Sequence, residues 1–292
     1  MERFVNLTLT GISAGVVYAA AALALVLIWR STRIVNFAQG GMMMITTFVA
    51  YSVVQGTHSY WAAFAVALVA GLVLGAVVER FVIRPVEDAP PLNAVIVTLG
   101  LLIFLQAVAG MIWGGEPKSF PLAFGIEGYD VAGTRLLFSS SDLFAVLAVL
   151  GVMGLLVVLF RGTSVGLRMR AAAFAPETAR ILGVRVGRTL TLGWALAAMV
   201  GALAGLLVAP ATFVSPTAFD PILVFGFAAA VLGGLDSPLG AVVGGLLLGL
   251  LLSYLSGYAG SEVVTLGALV VVTVVLMVRP SGLFTSGAGR RV

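Results

Sequence analysis

The sequence predicts an all-α polytopic membrane protein with about nine transmembrane helices, within a range of roughly eight to ten. Hydrophobic residues make up 61% of the chain and charged residues 10%, whereas soluble domains contain about 25% charged residues. Long stretches without a charged residue recur, and a bilayer core needs roughly 20 apolar residues per helix. Basic residues gather in alternate connections between these stretches. These three observations favour one transmembrane domain over residues 1–292.

The uncharged stretches, taken in order, give the helices. The predicted spans lie near 8–29, 36–54, 60–79, 92–113, 142–160, 189–209, 219–235, 238–257 and 262–278. The stretch 34–78 is too long for one span, so we divide it at the polar sequence 55–59. The count depends most on 34–78 and 219–257, where a helix could be split or merged. Trp29 and Arg30 follow the first apolar stretch where a cleavage site needs small residues, so we expect that span to remain.

Lysine and arginine set the predicted orientation, because cytoplasmic loops carry an excess of both. With the N-terminus outside and the C-terminus in the cytoplasm, 13 of the 16 basic residues are cytoplasmic. Arg3, Lys118 and Arg135 are the 3 on the other side. The connection 114–141 is then extracytoplasmic. The loop 162–188, bordered by Arg161 and rich in arginine, is cytoplasmic.

Side chains that carry catalysis are scarce. The only lysine, Lys118, is not part of the Gly-Lys-Ser/Thr sequence that a phosphate-binding loop needs. The chain has no cysteine and one histidine, His58, which we interpret as a loop residue. Asp220, Asp236 and Glu262 stand beside turns or helix ends, so no run of acids indicates a proton relay. We therefore predict no enzyme activity and neither a metal nor a cofactor in this chain.

Glycine pairs recur within the predicted spans at a spacing of four residues. Small residues one turn apart let helix backbones approach closely in lipid. We interpret the pairs as packing contacts within the chain, with a channel lining or a subunit interface as the alternative. The pairs are Gly11/Gly15, Gly71/Gly75, Gly110/Gly114, Gly201/Gly205, Gly240/Gly244 and Gly245/Gly249.

The cytoplasmic loop 162–188 contains a helix signal of its own. Pro176 suits a first helical turn, Glu177 suits the positive N-terminal end, and Gly183 suits the C-terminal stop. Three large apolar side chains give this short helix a contact surface: Phe174, Ile181 and Leu182.

Polar residues interrupt the apolar spans at two places. The second span opens on Asn36, and the segment 233–238 separates two late spans. Interrupted helices often line a transport pathway, although the Gly-Asp-Ser-Pro chemistry of 233–238 favours a tight turn. Threonines inside apolar spans more often bond their own backbone than a solute. The pathway candidates are Asn36 and Gln39, near a constriction, with Thr46, Thr98 and Gln106.

Several sequence blocks run in order along nearly the whole chain. They are Asn-Phe-Ala-Gln-Gly at 36–40, Arg-Pro at 84–85, Val-Gly-Leu-Arg-Met-Arg-Ala at 165–171, Val-Leu-Gly-Gly-Leu-Asp-Ser-Pro-Leu-Gly-Ala at 231–241 and Arg-Pro-Ser-Gly-Leu-Phe at 279–284. These blocks resemble those of permease subunits, of the LivH type, from branched-chain amino-acid ABC importers. Gln39 stands where that family usually has histidine. Both side chains form hydrogen bonds, so this departure bears on a gate or on selectivity rather than on the fold.

The resemblance gives the cytoplasmic helix a role. Residues 177–183 are similar to the Glu-Ala-Ala-x-x-x-Gly coupling motif of ABC importer permeases, with threonine for the first alanine. The resemblance implies that this helix docks into a groove of an ATPase subunit, and the alternative is a helix held on the anionic leaflet by arginines. The expected coupling residues are Phe174, Pro176, Glu177, Thr178, Ala179, Arg180, Ile181, Leu182 and Gly183.

The resemblance also implies the function and the partners. The chain is expected to be a permease subunit in a bacterial-type inner membrane, translocating branched-chain or other hydrophobic amino acids by alternating access. The partners are a second permease chain, similar or identical, two ATPase subunits that use ATP and Mg, an extracytoplasmic substrate-binding protein and membrane lipid, with no nucleic acid. The alternative is an ATP-independent secondary transporter or channel for a small polar solute such as urea or an amide.

Overall fold

The computed structural model describes residues 2–87, 89–125, 128–131, 134–279 and 281–284. Its helices are α1 (Glu2–Thr32), α2 (Gln39–Thr57), α3 (Tyr60–Val78), α4 (Pro91–Trp113), α5 (Ser140–Gly162), α6 (Ser164–Phe174), α7 (Pro176–Ile181), α8 (Val186–Thr212), α9 (Asp220–Gly233), α10 (Pro238–Ala259) and α11 (Val264–Val278). A hairpin of β1 (Gly128–Val131) and β2 (Thr134–Ser139) precedes α5. Pro280, Arg290 and Arg291, used in the sequence analysis, lie outside the described residues.

Seven helices in the described part of the chain are long and apolar enough to cross a bilayer. They are α1, α4, α5, α8, α10, α3 with its continuation to Val86, and α11 with the turn that precedes it. The polytopic helical membrane protein is thus confirmed. The other two predicted spans, 36–54 and 219–235, correspond to α2 and α9. With 14 residues, α9 is about 21 Å long, which is short for a bilayer core of about 30 Å. Helix α2 is long enough, but its sequence is too polar for it to be counted among the seven apolar helices.

Helices α1 and α8 form the centre of the bundle. In each of them, 78% of the most apolar 18-residue stretch is buried, compared with 6% in the last span. The helix α1 packs against α8, α9 and α10, and α8 packs against α1, α2 and α3. Side chains of α1 and α8 therefore supply a large part of the core, including the fully buried Trp194.

The packing pattern repeats within the chain. Helix α1 contacts α9 and α10 as α8 contacts α2 and α3, while α2 packs on α3 and α4 as α9 packs on α10 and α11. The set α1–α4 thus corresponds to α8–α11. Because α1 and α8 run in opposite directions between the two ends of the bundle, the two sets form an inverted repeat, an arrangement common among transporters.

Glycine makes the closest helix contacts, as predicted, for five of the six pairs. The pair Gly71/Gly75 on α3 faces α8. In the other repeat, the crossing of α10 and α1 corresponds to that of α3 and α8, and there Gly245/Gly249 on α10 faces Ala19 and Gly15 of α1. Gly201/Gly205 on α8 faces α2, Gly240/Gly244 faces α9, and Gly11/Gly15 faces α10. The interpretation is wrong for Gly110/Gly114, since no atom of another element lies within 4 Å of a side chain built there.

Contacts between loops sort the helix ends into two groups. Arg33 pairs with Asp236, which joins the end of α1 to the start of α10, and Leu283 donates its backbone N–H to the carbonyl of Leu232. At the opposite end, the backbones of Lys118 and Val214 exchange hydrogen bonds of 3.0 and 2.8 Å. The arginines that were predicted to be cytoplasmic, where the structure describes them, lie at the first group of helix ends. We call this group the arginine-rich end. Its assignment to the cytoplasm remains a prediction.

A buried ion pair fixes the end of α3 to α8, and the sequence analysis did not identify it. The chain after α3 forms a π-helical turn from Glu79 to Ile83, and Glu79 is only 1% exposed. Arg84 donates to both carboxylate oxygens of Glu79 at 2.9 Å and to the carbonyl of Gly187 at 2.7 Å. Thr191 donates to Glu79 at 2.7 Å. Removing one partner of such a pair leaves a buried charge, which destabilises by about 3–5 kcal/mol.

The orientation can be tested by labelling, because this chain contains no cysteine. Ser119 and Thr178 are both exposed, on opposite ends of the bundle. With Ser119→Cys and Thr178→Cys made singly, a membrane-impermeant thiol reagent on intact cells should label the first alone. Labelling of Thr178→Cys before the cells are broken would contradict the orientation.

The close crossing of α3 and α8 predicts that Gly75→Ala destabilises the protein. A methyl group at Gly75 would lie 2.7 Å from the Ala198 Cβ and 2.8 Å from the Ala195 Cα. Such overpacking costs about 1–3 kcal/mol, so the melting temperature in detergent should fall. Gly100→Ala on α4 is the matched control, since nothing lies within 4 Å of that position. Equal melting temperatures for both variants would show that this crossing is not tight.

Candidate transport pathway and coupling surface

The segment 33–38 turns back from the arginine-rich end into the bundle. Ser31, at the end of α1, lies against Gly193 of α8, whereas Gln39 lies against Gly201 of the same helix. Eight residues of α-helix separate the two glycines, which corresponds to about 12 Å along the axis. The helix α2 therefore begins about 12 Å deeper than α1 ends.

Asn36 and Gln39 build this inward turn. Asn36 accepts a hydrogen bond from the backbone N–H of Ala38 at 3.0 Å and donates to the Gln39 side-chain oxygen at 3.2 Å. Both side chains are fully buried. The Gln39 Nε2 atom has no hydrogen-bond partner among the described residues. The structure thus brings together the two residues predicted near a constriction, and buries both.

Two other pathway candidates bond locally. Thr46 donates to the carbonyls of Met42 at 3.0 Å and Met43 at 2.9 Å, and Thr98 donates to Val95 at 2.9 Å. Both threonines are buried, at 1% and 0% exposure. Each hydroxyl donates its hydrogen to the preceding turn and is shielded by neighbouring side chains, so neither is accessible to a solute in this structure.

The segment 213–219 turns inward from the opposite end, in the corresponding place of the second repeat. Val214 pairs with Lys118 at that end, but Asp220, at the start of α9, accepts a hydrogen bond from Gln106 at 2.9 Å. Gln106 lies seven residues before Trp113 at the end of α4, which is about 10 Å along the axis. The helix α9 therefore also begins inside the bundle.

The N-termini of α2 and α9 meet. A side chain built at Gly40 would lie 3.3 Å from Leu223 and 3.6 Å from the carbonyl of Phe219, while one at Gly41 would touch Leu105 of α4 at 3.3 Å. A helix N-terminus carries a positive partial charge, and Asp220 adds a carboxylate beside it. The sequence analysis treated Asp220 as a charge tolerated at a helix end. The structure places that helix end at the depth of Gln106, well inside the span.

Asp220 lies on a surface that lipid cannot cover at low cost. Gln106 and Asp220 are both partly exposed, and Ile103 on the same face of α4 is 67% exposed. A charge facing the middle of a bilayer costs at least about 2.5–3.5 kcal/mol. Such residues almost always face a bundle interior or a water-filled cavity. The face of α4 and α9 around Asp220 is therefore suited to a protein partner or an aqueous path.

The loop 162–188 forms two short helices fixed to α8. Ala172 of α6 and Ala179 of α7 pack with Val186 and Leu190 of α8 in a small core of their own. Pro176 begins α7. Gly183, at a φ of 81°, ends it. The backbone N–H groups of Gly183 and Val184 donate to Arg180 and Ala179, which is the hydrogen-bond pattern of a Schellman motif.

The predicted contact surface of this loop is open to solvent. Phe174 is 92% exposed, Ile181 86% and Leu182 77%. Arg180 pairs with Glu177 at 3.1 Å on the same turn, and Thr178 is exposed beside them. Ala179 differs from the expectation, because it is only 3% exposed and anchors α7 to α8 instead of offering a contact to a partner.

Comparisons with known proteins agree with this architecture. A family model described as "Branched-chain amino acid transport system / permease component" matches residues 7–278. The high-affinity branched-chain amino acid transport system permease protein LivH of Escherichia coli (strain K12) is 28% identical, covering 96% of this chain and 95% of that protein. The corresponding permease protein BraD of Pseudomonas aeruginosa is 26% identical, with 97% and 95% covered.

A solved structure shares the fold. PsaBC from Streptococcus pneumoniae in complex with Fab superposes with a TM-score of 0.51 at 15% identity, covering 94% of this chain and 91% of that one. The likeness concerns the fold alone. The family match over residues 7–278 confirms the resemblance found in the sequence, and the chain belongs to the family of branched-chain amino acid transport system permease components.

Proposed function

We propose that this chain is the membrane permease subunit of an ABC importer for branched-chain or other hydrophobic amino acids in a bacterial-type inner membrane. The observation that carries the proposal is the meeting of two helices that begin inside the bundle, α2 and α9, at equivalent places of an inverted repeat. Transporter sites typically lie where interrupted helices point their N-termini at the solute. An ATP-independent transporter would have no evident use for the exposed apolar surface of α6 and α7.

The solute path runs along the face of α4 and α9 around Gln106 and Asp220. Asp220 supplies a negative charge for the ammonium group of an amino acid, and the neighbouring N-terminus of α2 suits the carboxylate. The exposed apolar side chains nearby, such as Ile103 and Val224, suit a branched aliphatic side chain. A second permease chain, similar or identical, covers this face and completes the pathway.

Transport is driven through the loop 162–188. Phe174, Ile181 and Leu182 dock into a groove of an ATPase subunit, as an apolar helix face does in many complexes. The ATPase subunits bind ATP and Mg, and an extracytoplasmic binding protein delivers the solute. Because α7 is anchored to α8 through Ala179, movement of the docked helix is passed to α8. Gly201 of α8 lies against Gln39, so the movement reaches the start of α2 and changes which side is open.

Leu182→Asp should uncouple the importer. The substitution puts a charge into an apolar contact, so purified complexes should lose the ATPase subunits or the stimulation of ATP hydrolysis by loaded binding protein. Leu122→Asp is the matched control, since Leu122 is also exposed but lies in the connection 114–141 at the opposite end. Complexes with Leu182→Asp that keep both properties would refute this coupling surface.

Asp220→Asn should reduce amino-acid uptake into proteoliposomes by roughly tenfold to a hundredfold. This range corresponds to a hydrogen bond to a charged group, worth about 1.5–3 kcal/mol. The amide retains the size of the side chain and can still bond Gln106, so the complex should assemble normally. Glu262→Gln, which neutralises an exposed acid outside this face, should leave uptake unchanged. Wild-type uptake by the Asp220→Asn complex would rule out a role for this carboxylate in solute binding.

A further inference from the structure

A cavity of about 540 Å³ lies at the arginine-rich end between α1, α5 and the start of α10. Leu23 and Leu27 of α1 and Leu156 and Phe160 of α5 line its apolar wall. The lining of α5 extends from Arg161 back to Met153, which is about 12 Å into the membrane-spanning part of the helix. The cavity therefore continues from the charged end into the hydrocarbon region.

Three arginines stand at the mouth of this cavity: Arg30, Arg161 and Arg170. The ion pairs found among the described residues involve Arg33, Arg84 and Arg180, so none of the three arginines at the mouth forms a direct ion pair there, although Arg30 is attracted by the carboxylate of Asp236. Asp236 also lines the cavity, but Arg33 pairs with it. The N-terminus of α10, where Ser237 caps the backbone N–H of Gly240 at 2.9 Å, adds a positive partial charge. The mouth is thus suited to an anion.

A second cavity of about 350 Å³ adjoins the first. Both are lined by Leu27, Arg30, Phe160 and Arg170, and the second also by Arg33 and by side chains of α6, so it extends the basic mouth toward α6. Arg30 lies over the ring of Phe160, 5.7 Å from its centre, and this contact holds the guanidinium between the two cavities. An amphiphile whose charged group lies at these arginines and whose apolar part enters the first cavity matches this arrangement.

We propose that these cavities bind an anionic phospholipid, whose phosphate contacts Arg30, Arg161 and Arg170 and whose chains lie along α1 and α5. Basic pockets between helices at the cytoplasmic side commonly bind such headgroups. The most apolar stretch of α5 is only 17% buried, and its Leu155 is 71% exposed, so lipid reaches this helix directly. Residues 285–292 follow Phe284 of the cavity wall, but they carry two arginines and no acid, and their charge does not complement the mouth.

The test uses the assembled transporter in nanodiscs of phosphatidylcholine, with or without phosphatidylglycerol. The melting temperature should rise with phosphatidylglycerol, because a ligand of the native state stabilises it, and mass spectrometry should find this lipid retained after delipidation. Arg161→Gln with Arg170→Gln should weaken retention by about thirtyfold, as expected for two basic side chains at a lipid headgroup. Arg185→Gln with Arg188→Gln, at the same end but outside the cavity lining, should retain the lipid.

A second variant tests the chain-binding part with the arginines intact. Val157→Trp fills the apolar part of the first cavity, which Val157 lines, and should reduce retention of phosphatidylglycerol as well. Inorganic phosphate added to phosphatidylcholine discs should not reproduce the stabilisation. Stabilisation by phosphate alone, with no effect of Val157→Trp, would mean a simple anion site. Equal retention by the wild type and the Arg161/Arg170 variant, or equal loss in the Arg185/Arg188 control, would overturn the proposal.

Discussion

The constraint on which this structure depends is that the bilayer core offers no partner to an unpaired backbone group. Irregular backbone is tolerated at membrane depth only where protein or an aqueous cavity surrounds it. The segments 33–38 and 213–219 are two such irregular turns, and α1 and α8 are the long helices from which they depart. Those two helices are accordingly the most buried spans. The glycines of α3 and α10 let these two helices approach α8 and α1 closely.

The same helix that covers one turn carries the loop 162–188, which we propose as the coupling element. At its start, α8 shares a core with α6 and α7 and holds the Glu79–Arg84 pair through Thr191. About two turns after the start of α8 at Val186, Gly193 contacts the end of α1. Further along the same helix, Gly201 contacts Gln39. One rigid element therefore connects the solvent-exposed apolar surface with the place where α2 and α9 meet.

Sequence reasoning succeeded where the signal is local and failed where it depends on depth. Uncharged stretches gave seven spans close to their observed bounds, and Pro176 and Gly183 marked the ends of α7 because proline and glycine act through their own backbone geometry. The sequence did not predict that α2 and α9 begin inside the bundle. A polar residue such as Asn36 gives the same sequence pattern whether it lies at the bilayer surface or about 12 Å below it. Glu79 is followed by Arg80 at the end of a predicted span, so the sequence indicated only a charged residue at the bilayer surface. Its partners, Arg84 and Thr191, come together only through the packing of α3 on α8.

The inverted repeat has a consequence for the direction of transport. Two halves related by an axis in the membrane plane look alike from either side, so by themselves they favour neither inward nor outward movement. Vectorial transport must then come from the parts that break this symmetry. Those are the insertion from α5 to α7, which puts the exposed Phe174, Ile181 and Leu182 at one end only, and the hairpin of β1 and β2 that precedes it. In the proposed mechanism, the chain thus separates a reversible gate from the asymmetric attachments that give it a direction.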